Sequence, residues 1–216
     1  MDDASAVFDA SILTGPIASY PVADSFNRAR ERDYSTGDIP HVFVASVVWD
    51  LPAGAGRARQ LHGVAGAIAN DWTIASLVTL ESGAPVAVTQ TTNFNAFAGF
   101  GVQRPNLSGD PALPPGQRTP GQWFDTAAFT IAPQFTIGSA SRNPVRGPSY
   151  RDVDLALIRR IGLGARQAIE ARADVFNLLN TPNFGAPNAV LGAANFGTIT
   201  TALDPRAIQL ALKFVF

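Results

Sequence analysis

The C-terminal segment constrains this chain most. From Ile208 onward the even positions are Ile208, Leu210, Leu212, Phe214 and Phe216, and the odd ones are Gln209, Ala211, Lys213 and Val215. A helix would scatter those residues around its circumference, whereas a strand alternates its side chains and gathers every large apolar group on one face. The segment therefore predicts a strand with one apolar face and one small or polar face.

The same alternation recurs upstream. Over Gln167–Asn177, Ile169, Ala171, Ala173 and Val175 share one face, and Glu170, Arg172 and Asp174 share the other. Three alternating charges cannot sit in a dry core, because burying unpaired charge costs too much, so that face must meet water, as in a polar lumen. Asp152–Ile161 sets Val153, Leu155, Leu157 and Ile161 against Asp152, Asp154 and Arg160. Arg159 interrupts the apolar side near its end, where a long side chain can snorkel. Between these two segments, Gly162-Leu163-Gly164-Ala165 predicts a tight hairpin turn. His41–Asp50 and Trp72–Glu81 are also strand-like, the second grouping Trp72, Ile74, Val78 and Leu80, with facing less clean than in the later strands. Ser82-Gly83-Ala84-Pro85 predicts a bulge or break before Val86–Val88.

Composition sharpens the choice of class. Apolar residues make up 46% of the 216 and charged ones 15%, with Gly 19 and Pro 16. Such a chain is too apolar for a disordered tail and too interrupted for long helices. No apolar run approaches the length of about 18 residues that a membrane-crossing helix needs, which excludes a helical membrane protein. A formal net charge of −1 gives no sign of a nucleic-acid surface or polybasic tail, and Cys 0 excludes a disulfide framework and a thiolate metal site. Met1-Asp2-Asp3-Ala4-Ser5 lacks the basic and apolar regions of a signal peptide. A chain of the cell envelope with that start is expected to be a fragment, or to lack its true beginning.

The connections alternate in length. Counted back from Phe216, the links of nearly thirty and roughly sixty residues fall on one side of the sheet and the two shorter links on the other; soluble domains rarely carry such loops. Bacterial outer-membrane barrels combine short periplasmic turns with long extracellular loops, and strands of about ten residues suit a tilted crossing of the bilayer. The expected fold is all-β: an incomplete antiparallel transmembrane β-barrel segment of about five to six strands with long loops. Residues 41–216 would form it, with residues 1–40 a loop or partial strand. Trp49, Trp72 and Phe216 would lie near the periplasmic edge, as an aromatic girdle does.

Several strings then resemble, in order, the C-terminal end of TonB-dependent-receptor-like barrels, particularly the Oar-like group. They are Asp50-Leu51-Pro52-Ala53-Gly54, Glu81-Ser82-Gly83-Ala84-Pro85, Arg104-Pro105-Asn106-Leu107-Ser108-Gly109-Asp110-Pro111, Trp123-Phe124-Asp125 and Arg142-Asn143-Pro144-Val145-Arg146-Gly147-Pro148. Phe176-Asn177-Leu178-Leu179-Asn180, Asn183-Phe184-Gly185, Phe196-Gly197 and Pro205-Arg206 complete the set, so the likeness covers about residues 38 to 216. The resemblance implies a parent with a wide barrel of about 22 strands, a plug domain and a TonB box, importing scarce or bulky solutes. It implies a Gram-negative outer-membrane location, long loops extracellular and the C-terminus periplasmic. The implied partners are outer-membrane lipid, the remainder of the barrel and its plug, TonB through a more N-terminal region, and the barrel-assembly machinery. That machinery would read Phe216, Phe214 and Leu212 as an assembly signal. No nucleic acid, cofactor or enzymatic activity is expected.

Each candidate site has a plainer alternative. Glu170, Arg172, Asp174, Asp154 and Lys213 are the lumen-facing candidates; they could line a solute path, or pair across strands and hydrate the wall. Asp152 and Asp154 share a face, but a glycosidase needs a partner carboxyl across a cleft, so a polar rung is preferred. His41 and His62 have no acidic cluster beside them and are not read as metal ligands. Asn93–Phe100 is a ligand-contacting loop or, preferred, a self-packed one. Ala53-Gly54-Ala55-Gly56 reads as a turn with no helix expected nearby, not a phosphate loop. The competing functions are a structural or adhesive barrel without import, and a soluble all-β binding module.

Overall fold

The computed structural model describes Asp24 and residues 27–95, 103–164 and 167–216. Residues 1–23 and 25–26, residues 96–100 of the aromatic loop and Ala165 in the expected hairpin turn lie outside the described residues. The regular structure among the described residues is almost entirely β, with no helix long and apolar enough to cross a membrane. It divides into two compact units.

One unit comprises His41–Glu81, Tyr150–Pro182 and Asp204–Phe216. It holds a five-stranded antiparallel sheet of β1 (Val42–Asp50), β2 (Trp72–Glu81), β8 (Tyr150–Gly162), β9 (Ala168–Phe176) and β11 (Ala207–Val215), each paired with its neighbour in sequence. The sheet is open: β1 and β11 are its edges. The expected strands stand with small shifts. Gly162 belongs to β8 and pairs with Ala168, and the link closes through Leu163 N–H donating to Gln167 O at 2.9 Å, so the turn is longer than the four residues expected.

The register fixes the faces. Trp49 lies opposite Ile74, Ile74 opposite Leu157, Leu157 opposite Ala173 and Ala173 opposite Leu210. Because side chains alternate along each strand, this row extends to Phe43, Val47, Trp72, Val78, Leu80, Val153, Leu155, Ile169, Val175, Leu212 and Phe214, one apolar face across all five strands. Ser76 is a polar member of it, and its hydroxyl donates to Asp154 O at 2.9 Å across to β8, so the face carries no idle donor there. Val42, Val44 and Val48 occupy the opposite face of β1, which makes that edge strand apolar on both sides.

The β1–β2 link contains a helix, α1 (Gly63–Ala69), where none was expected. The Gly- and Ala-rich sequence hides it, since glycine disfavours helix and a turn so short carries little periodicity. Its shape is held from outside. Asn70 Nδ2 donates to Leu61 O at 2.9 Å, and Trp72 Nε1 donates to Ile68 O at 2.7 Å.

The other unit gathers the described residues of Met1–Pro40 with Ser82–Ser149 and Asn183–Leu203. Its strands are two-residue pairs: β3 (Pro85–Val86) with β7 (Val145–Arg146), β5 (Asn106–Leu107) with β6 (Phe129–Thr130), and β4 (Thr89–Gln90) parallel to β10 (Val190–Leu191). These long links are not structureless. Val88, Phe124, Ala128, Phe129 and Val145 form a buried cluster, against which Trp123, Leu191 and Phe196 pack. Phe124, Phe129 and Phe196 meet edge-to-face, with ring centroids 5.2 to 5.8 Å apart, the arrangement that the ring quadrupoles favour.

Buried amides tie this unit together. Gln90 Nε2 donates to Gln103 Oε1 at 3.0 Å while Gln90 Oε1 accepts from Ala132 N–H at 2.9 Å. Gln103 Nε2 reaches Pro133 O and Thr136 O, both at 3.0 Å, and Gln103 Oε1 accepts from Phe94 N–H at 2.8 Å. Asn95, buried, donates to Thr136 O at 2.7 Å and accepts from Phe135 N–H, while Phe94 beside it is exposed. A buried ion pair joins Arg104 to Glu31, and Arg146 pairs with Asp38 at 2.5 Å while its guanidinium lies over the Tyr34 ring. In irregular backbone these side chains supply the partners that a sheet ladder would otherwise give.

Candidate functional site

The functional surface is the five-stranded sheet, and its faces differ in chemistry. The apolar face stands open: Leu210 is 77% and Leu212 75% exposed, with Ile208 and Phe214 exposed on the same edge strand and Val47 and Trp49 on the opposite one. Contiguous apolar area on this scale is not tolerated in water and marks a membrane or partner surface. Of the assembly-signal candidates, Leu212 sits opposite Ala171 and Phe214 opposite Ile169, both on this face. Phe216 follows the last paired residue, and its ring stacks on Phe214 with centroids 6.0 Å apart.

The five lumen candidates share the opposite face. Lys213 lies opposite Glu170, Asp174 lies between Gln209 and Ala156, and Arg172 lies between Ala211 and Ile158. Asp154, two residues from Ala156, has the same parity. Arg172 Nε donates to Asp174 at 2.8 Å along one strand, and Arg160 stands opposite Glu170, so opposite charges neighbour one another across this face.

One of these residues, Asp154, also does a structural job that spacing could not reveal. Leu155 pairs with Val175, so an unbroken ladder would bring Val153 to Asn177; instead Leu178 N–H donates to Val153 O at 2.7 Å. The extra residue, Asn177, adopts φ 50, a conformation Asn tolerates better than most, and its freed N–H donates to Asp154 Oδ1 at 3.0 Å. Asp154 thus holds a bulge. Asn177 itself exchanges hydrogen bonds with Thr181, and Asn180 Oδ1 accepts from Arg206 N–H at 3.2 Å, tying the end of β9 to the start of β11. Asp152 accepts from the Tyr150 hydroxyl at 3.3 Å on the same face, a polar rung with no facing carboxylate described across a cleft.

At the hairpin end, the charged face opens into a cavity of about 390 Å³ lined by Arg57, Asp71, Thr73, Arg160 and Glu170 among others. Arg57 donates to Leu51 O at 2.6 Å and Trp72 O at 2.7 Å and pairs with Asp50, whose carboxylate also accepts from the Thr73 hydroxyl. Asp71, at φ 65, accepts from Ala55 N–H at 3.0 Å. The lining carries both signs of charge, which suits water and mixed polar groups better than one ion. Thr73 and Arg160 could have been added to the lumen candidates by parity alone; Arg57 and Asp71 belong to the irregular link and gave no such signal.

The remaining candidates separate from this surface. His62 precedes α1, and its carbonyl accepts from Gly66 N–H at 3.4 Å; His41 precedes β1. Among the described residues, no three His, Cys, Asp or Glu gather as a metal site would. Gly54, at φ 141, closes the link after β1 by donating its N–H to Arg59 O at 2.8 Å and accepting from Arg57 N–H at 3.2 Å, with no phosphate-loop geometry.

An open antiparallel sheet, apolar on one face and charged on the other, defines a membrane β-barrel wall. A sequence model of the outer membrane beta barrel domain matches residues 1–209, and the chain belongs to that family. It is a barrel protein of the outer membrane. No curated protein and no solved structure matches the chain.

Proposed function

We propose that the chain is a section of the wall of a TonB-dependent-receptor-type barrel, and that the complete protein takes up solutes. The observation that carries this is the two-faced sheet: its apolar face would meet lipid, and Glu170, Arg172, Asp174, Asp154 and Lys213 would line a watered lumen. The free edges at β1 and β11 call for further strands, since five cannot close and such barrels use at least about eight. The remainder of the barrel and a plug would supply them, with TonB engaged through the more N-terminal region. The long links leave the sheet after Glu81 and near Pro182, at the end away from Gly162 and Phe216. That end would be extracellular, and the C-terminus periplasmic. Phe216, Phe214 and Leu212 would serve as the signal read by the barrel-assembly machinery. The roles are those of a wall and conduit rather than an enzyme.

The reading frame upstream of Met1 separates import from a purely structural or adhesive barrel. In-frame coding for further strands and a plug domain is expected. Further strands without a plug would leave a barrel and overturn the uptake reading.

A further inference from the structure

We propose that the β1–β2 link is a membrane-interface foot, in which Leu61, Val64 and Ile68 insert at the headgroup–acyl boundary of the leaflet at the hairpin end of the sheet. Val64 and Ile68 are one helical turn apart on one face of α1, and Leu61 lies just before the helix. Val64 is 78% and Ile68 65% exposed, and Leu61 is exposed as well. A helix of 7 residues does not hold its shape or orientation by its own hydrogen bonds. Here both are imposed by the sheet. Arg159 Nε donates to Asn70 O at 3.2 Å, and its other end donates to Ala67 O, so one guanidinium satisfies the orphan carbonyls at the C-terminus of α1. Trp72, opposite Arg159 in the register, donates to Ile68 O, and the guanidinium lies 5.6 Å from its ring centroid. Gly66 allows the close approach, since a methyl group there would meet Leu61 O at 2.2 Å.

Arg159 and Trp72 both belong to the apolar face. The foot is therefore fastened to the side of the sheet that meets lipid, at the end where Trp49 is also exposed. Tryptophan beside an apolar stripe, with a cation held just inside, is the chemistry of the bilayer interface. The arrangement also accounts for Arg159, a charge on the apolar side of β8 at the end opposite Arg151: it fixes the foot. The proposal rests on the reading that the apolar face meets lipid, and it adds an anchor outside the strands that sets how deep the wall sits.

This chain has no native cysteine, so a label can be placed within it at one position. The assembled barrel that contains the chain, in vesicles of phosphatidylethanolamine and phosphatidylglycerol, would carry a single environment-sensitive fluorophore at Val64→Cys, Ile68→Cys, Leu210→Cys or Ala211→Cys. Nitroxides attached shallow or deep on the lipid chains are the quenchers. The expected result is blue-shifted emission at positions 64 and 68, lost mainly to the shallow quencher. Position 210 should lose emission to the deep one, and position 211 to neither. Water-like emission at 64 and 68 with position 210 quenched would overturn the foot and leave the lipid face standing. No quenching at position 210 would overturn the lipid face and the foot together.

Discussion

The two units of this chain put the same residue types in opposite places. In the loop unit, Phe124 and Val88 are each 1% exposed within a closed aromatic cluster, as in a water-soluble domain. In the sheet unit, Phe214, Phe216, Leu210 and Leu212 all stand open, and Ala168 is the sheet's buried apolar residue. Hydrophobicity alone cannot explain both. The difference is the intended solvent: a side chain is buried where its surroundings are water, and left standing where lipid will complete the burial. The loop unit has to close its own core, and the sheet unit has only to keep its faces apart.

The largest expected effect breaks the loop side of this comparison. Phe124→Ala removes the most enclosed ring of the cluster and should cost about 3–5 kcal/mol, the usual range for a buried Phe truncation. Limited proteolysis should then cut within residues 103–145, with the β8–β9 hairpin still protected. Simultaneous loss of both regions would mean that the two are not separately stabilised.

Leu212→Arg breaks the sheet side. In a bilayer it places a charge on the lipid face, at a cost of about 2–4 kcal/mol near mid-depth. Heat-modifiable gel mobility of the assembled barrel should reveal the loss. An assembly yield equal to that of the parent would mean that Leu212 does not face lipid.

Asn177→Ala tests the junction where the ladder of β9 is broken. It removes the exchange with Thr181 and forces alanine into a left-handed conformation, for about 1–3 kcal/mol. Thermal unfolding of the assembled protein should show it, and Asn177→Gly should recover only the conformational part. Lys213→Ala is the smallest, within about 0.5 kcal/mol, because it removes a wetted side chain. A Lys213→Ala defect exceeding that of Leu212→Arg would invert the assigned faces.

The sheet was readable because its signal is periodic. Ile208 to Phe216 and Ile169 to Val175 declare their faces by alternation, and the register joins the two rows as parity requires. Strand β1 was less clear because Val42, Val44 and Val48 make its second face apolar too. The loop unit was legible only as strings: Trp123-Phe124-Asp125 and Phe196-Gly197 carry the aromatic cluster, and Arg104 and Arg146 carry ion pairs. Their meeting depends on long-range closure that no local spacing encodes. Helix α1 escaped for a related reason, since Arg159 and Trp72 hold it from β8 and β2. Asp154 falls within its expected strand, whereas Asn177, expected to end one, lies just past β9, and the bulge they share requires the register.

The central claim is that one sheet face meets lipid and the other meets water. Its most direct measurement is a cysteine scan along β9 and β11 in the assembled, membrane-embedded protein, read by a membrane-impermeant thiol reagent. Positions 170, 172, 174, 209, 211 and 213 should react, and positions 169, 171, 173, 208, 210 and 212 should stay protected, in the phase that the pairing of Leu210 with Ala173 requires. Uniform reactivity along both strands, or alternation in the opposite phase, would contradict the account.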